Sequence, residues 1–123
     1  MKTLLALAAV SEAATGLVLL LYPSIVVSLL FGSELTGAGI VMSRLAGISL
    51  IALGIACWPG NMAYRALYGM VTFSTLAMLY LAYVGLIGVV GILLWPAVAV
   101  HGGLSILLVR AWRKEQKLPA PGT

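Results

Sequence analysis

Four long apolar runs fill most of the chain, separated by short polar or glycine- and proline-rich breaks. The first, Leu4 to Tyr22, is stopped by Pro23, which cannot continue a helical hydrogen-bond ladder. The second, Gly37 to Trp58, ends at the turn Pro59-Gly60-Asn61. The third covers roughly residues 66–85, with Arg65 at its entrance. The fourth covers roughly 90–112, and Pro96 is expected to kink it or to start its regular part. Helices of this length match a hydrocarbon core about 30 Å thick. Between the first two runs, Ser24 to Phe31 is too short to cross. Its apolar residues recur near helical spacing with Ser24 and Ser28 opposite, which predicts a short helix lying at the interface or tucked under the bundle. The predicted fold is therefore all-α: one four-span membrane bundle over 1–117, then a disordered tail over 118–123 that holds two prolines. Gly85, Gly88 and Gly91 break the apolar stretch before the fourth span, so a tight connection is expected there.

Composition supports lipid as the solvent. Hydrophobic residues make up 63% of the 123 and charged ones 8%, far from the balance of water-soluble domains. A soluble chain this small could not bury that much apolar surface. Met1-Lys2-Thr3 followed by Leu4 to Val10 has the shape of a signal peptide, but the apolar run continues to Leu21, so an uncleaved span is expected. The net charge of +4 reads as a topology signal rather than a nucleic-acid footprint. With four spans, Lys2, Arg65 and the cluster Arg110, Arg113, Lys114 and Lys117 share one side, while Glu34 lies on the other. The positive-inside rule then puts both termini in the cytoplasm.

Candidate chemistry is confined to a few side chains. A helical rise of about 1.5 Å per residue places Arg44 roughly 11 Å, Tyr80 roughly 9 Å, His101 near 15 Å and Glu12 near 18 Å below the face that carries Glu34. Each of the four spans thus offers one long polar group to the same slab of membrane. Two readings follow. In one, Glu12 and Arg44 form a buried ion pair that fixes helix register, with His101 and Tyr80 bonded to it. In the other, the four line a cavity for the polar head of a lipophilic molecule such as a quinone or fatty acid, since intramembrane ionisable groups are costly and usually functional. Proton relay is a third use. Small residues surround the cluster: Ala9, Ala13 and Gly16 beside Glu12, and Gly39, Ser43, Gly47 and Gly54 on the second span. They either let helices approach closely or leave room for a ligand head.

Other chemistry finds little material. One His, the single Cys57 and scattered Met residues are too few for a haem or metal site, and no Ser–His–Asp set exists. No cofactor is predicted beyond a bound lipid or quinone, and the reading leans away from an enzyme. Cys57 reads as a packing residue, and Trp58, Trp95 and Trp112 as belt residues at span ends.

The run Arg44-Leu45-Ala46-Gly47-Ile48-Ser49-Leu50, with Gly54 beyond it, resembles the Arg-x-x-Gly-x-x-Leu pattern of DoxX-like small four-helix membrane proteins. The resemblance covers one helix and the four-span layout. It implies a bacterial inner-membrane bundle and lends no catalytic residues; Glu12 and His101 lie outside the pattern. The expected roles are a binder of a lipophilic, head-polar molecule or an accessory subunit of a larger membrane complex. The chain is expected either to self-associate or to join a larger membrane assembly.

Overall fold

The computed structural model describes residues 1–118 and 122. Most of the expected tail, 118–123, lies outside the described residues. Five helices and no strands are found among those described: α1 Lys2–Leu21, α2 Pro23–Phe31, α3 Ala38–Ala56, α4 Ala63–Leu86 and α5 Leu94–Gln116. All but α2 are long and apolar enough to cross a membrane. The protein is a multi-pass four-helix membrane bundle.

The boundaries differ from the sequence reading where the chain has a local reason. α1 stops at Leu21, and Pro23 opens α2 at the first helical position, where a missing N–H costs nothing. α2 ends on Gly32, whose φ of 64° is left-handed and suits glycine. α4 begins at Ala63, so Arg65 sits inside its first turn rather than before it. α5 starts at Leu94, four residues later than expected, and runs to Gln116. Pro96 falls in its first turn and starts the helix instead of kinking it.

α1 and α3 form one antiparallel pair and α4 and α5 the other. Along the first seam, Gly16 lies against Gly47, and Gly54 against Ala9 and Ala13. Along the second, Gly85 receives Leu94 and Trp95, Gly102 receives Met78, Thr75 Oγ1 donates to Ser105 Oγ at 3.2 Å, and Tyr68 meets Trp112 edge to face. Gly16, Gly47, Gly54, Gly85 and Gly102 are therefore spent on close helix approach. Trp112, expected at a headgroup belt, packs instead beside the core with its indole Nε1 buried. Cys57 is buried in the core as expected.

The pairs meet at two ends. Near the termini, Leu5, Ala8 and Ala9 of α1 pack with Ala66, Leu67 and Met70 of α4 and Leu108 of α5. The Met1 amino group reaches Glu115 Oε1 at 2.9 Å at the same end. At the opposite end the link is made by backbone. The amides of Gly91 and Leu93 donate to the carbonyls of Leu30 and Leu29, each at 2.8 Å. These bonds use carbonyls that the last turn of α2 leaves unpaired. The segment before α5 is therefore not the tight turn expected from its glycines; it reaches across to α2.

Candidate functional site

Glu12 belongs to the buried stripe of α1, with Leu5, Ala8, Ala9 and Gly16. Ala9, Ala13 and Gly16 turn toward α3, whereas Leu5 and Ala8 pack into the cluster that includes α4 and α5. Glu12 is 5% exposed. Its carboxylate Oε1 lies 3.8 Å from Nδ1 of His101 on α5. That separation allows attraction but is too long for a direct hydrogen bond. His101 Nδ1 has no hydrogen-bond partner among the described residues.

The imidazole is held from α4. Phe73 meets its ring edge to face, with centroids 5.9 Å apart. Ser105 Oγ donates to the His101 carbonyl at 3.0 Å and is itself bound by Thr75. His101 retains 18% side-chain exposure, whereas the Glu12 side chain retains 7%.

Arg44 and Tyr80 do not join them. Arg44 is exposed and makes no ion pair among the described residues, so the expected Glu12–Arg44 pair is replaced by Glu12–His101. The α1–α3 register gives the reason. Gly47 lies level with Gly16 and Leu20, and Gly54 level with Ala9 and Ala13, so Glu12 falls near the level of Gly54. Arg44 lies nearly a turn beyond Gly47, toward the end that carries α2. Only seven residues into α3, its long side chain can snorkel toward that surface. Tyr80 is 65% exposed. It follows the buried Ser74 by six positions, or about 240° of helical rotation, and so points away from the core.

One polar group escaped the sequence reading. Ser74 of α4 is completely buried, and its hydroxyl has no hydrogen-bond partner among the described residues. Its level follows from the core cluster. Glu12, Ser74 and His101 each lie seven residues from a core leucine of their own helix: Leu5, Leu67 and Leu108. α5 runs opposite to α4, so all three steps go the same way, about 10 Å above the core cluster. The signal in the sequence was the spacing Leu67, Met70, Ser74, which puts Ser74 on the core face of α4; among six hydroxyl-bearing residues of that span it did not stand out.

Among the described residues, no group of three His, Cys, Asp or Glu side chains could hold a metal ion. Open grooves exist elsewhere. One of about 450 Å³ lies at the end that carries α2 and is lined by Ser24, Ser28, Glu34 and neighbouring apolar residues. Another of about 400 Å³ runs along the α1–α3 surface between Val10, Ile55 and Trp58. Comparison with protein-family models, with curated proteins and with solved structures finds no match.

Proposed function

We propose that the protein binds the polar head of a lipophilic molecule at the Glu12–His101 seam between its two helix pairs. The observation that carries this reading is the pair itself: a buried carboxylate lies 3.8 Å from Nδ1 of a mostly buried imidazole, and that Nδ1 atom is uncommitted. A buried polar atom without a partner is costly, and a head group placed between the two would supply hydrogen bonds to both. The tail would lie along the apolar helix faces. The four-span layout and the Arg44–Leu50 motif extend this reading to a DoxX-like bundle in a bacterial inner membrane. Both termini would be cytoplasmic, as the cation distribution argues.

A second reading has its own support. Arg44 and Tyr80 both point outward from spanning helices, and outward polar groups at such positions fit contact with another chain of a larger assembly or with a second copy of this one. Mass spectrometry of molecules that co-purify with the native protein separates the readings. Release of a bound lipophile by His101→Gln, with the bundle still folded, supports binding at the seam. A protein that carries no lipophile and elutes only within a larger complex supports the accessory role.

A further inference from the structure

We infer that the head received at this seam is a hydrogen-bond-donating cation, an alkylammonium, and that Ser74 is its third partner. The inference rests on the binding role proposed above and narrows it to one ligand class.

The first argument is charge. A head that is an anion, such as a fatty-acid carboxylate, needs a cation in the site. Arg44, the one fixed cation that the sequence places at a comparable depth, is exposed and lies away from Glu12. The remaining fixed cations, Lys2, Arg65, Arg110, Arg113, Lys114 and Lys117, lie toward the end where the termini meet. The seam offers a carboxylate, which repels an anion and attracts an ammonium.

The second argument is the donor and acceptor inventory. An ammonium has three N–H donors and no acceptor. Three helices bring an acceptor-capable atom to one level: the Glu12 carboxylate, the Ser74 hydroxyl and His101 Nδ1, which accepts whenever the ring is neutral with its proton on Nε2. Neither Ser74 Oγ nor His101 Nδ1 has a hydrogen-bond partner among the described residues. A buried serine ordinarily bonds back to its own helix, as Ser105 does to His101; Ser74, although wholly buried, does not. An ammonium entering past the partly exposed edge of His101 would offer one donor to each.

The test uses three ligands that share one tail: dodecylamine, dodecanol and dodecanoate. Specific adducts are counted by native mass spectrometry of the detergent-solubilised protein and of its Glu12→Gln and Ser74→Ala variants. The expected order is dodecylamine first and dodecanoate last. Glu12→Gln should remove the preference for the amine. Ser74→Ala should weaken amine binding about ten- to a hundredfold, as loss of a hydrogen bond to a charged group does. The same change should leave thermal stability equal or higher, since it deletes an unpartnered buried hydroxyl. That combination is one a merely structural serine would not give. Dodecanoate or dodecanol binding best, in a manner sensitive to Glu12, would leave head binding intact and overturn the cationic assignment. Amine binding unchanged by Ser74→Ala would remove Ser74 from the site. Absence of any Glu12-sensitive adduct would overturn this inference and the proposed function together.

Discussion

Gly16 of α1 and Gly47 of α3 stand back to back, so that a Cβ on either would lie 2.5 or 2.6 Å from the carbonyl oxygen of the other. No side chain fits there without parting the helices. In lipid there is little hydrophobic drive to hold two helices together, so the pair depends on close packing, and these glycines permit it.

Replacing Gly47 with alanine should therefore destabilise the bundle although alanine favours helix. Overpacking of this kind typically costs about 1–3 kcal/mol. Gly103→Ala is the matched control, because a Cβ there meets nothing within 4 Å. It should be neutral or stabilising by up to about 1 kcal/mol through helix propensity. Thermal unfolding of the two variants in the same detergent gives the comparison, and equal losses would argue against the glycine contact.

The seam predicts a selective coupling. A double-mutant cycle on Glu12→Gln and His101→Gln should show an interaction energy of about 0.5–3 kcal/mol, the range for groups in contact. A cycle on Glu12→Gln and Arg44→Gln should be additive within about 0.5 kcal/mol, as for separated sites. Unfolding free energies of the five variants and the parent protein decide it. Coupling to Arg44 instead of His101 would mean that the buried carboxylate has the partner expected from depth alone.

Gly91 is the point where the segment before α5 passes over the end of α2. A Cβ on Gly91 would collide with the Leu29 carbonyl oxygen and the Leu30 carbonyl carbon. Gly91→Ala should lift this segment and free the amides of Gly91 and Leu93. Hydrogen exchange at those two amides should accelerate at least tenfold, while exchange near Met70 in the core stays unchanged. Retained protection in the variant would count against the backbone link.

Topology is open to direct labelling. Cysteines placed at Ser33 and at Gln116, each on a Cys57→Ala background, should react from opposite sides of the membrane. Both reacting from one side would be incompatible with four crossings. Cys57 is buried among Leu67 and Met70, so the background change itself should cost about 1 kcal/mol of stability.

The sequence by itself determined the class, the number of spans and the short α2. Each follows from local rules: apolar run length against bilayer thickness, and the geometry of Pro23 and Gly32. It also singled out Glu12 and His101, because charge and titratable groups inside apolar runs are conspicuous. Which groups meet was decided only by tertiary structure. Depth is readable along a chain, but the direction a residue faces depends on which neighbour its helix packs against. Arg44 and Tyr80 shared the expected slab and face outward, because Gly47 and Gly54 commit α3 to α1, and Ser74 occupies the core face of α4. The small residues read equally well as packing or as room for a ligand until Gly16 was found against Gly47. Ser74 carried no charge to mark it, and its place level with Glu12 and His101 arises only when three helices, one of them reversed, share a common core.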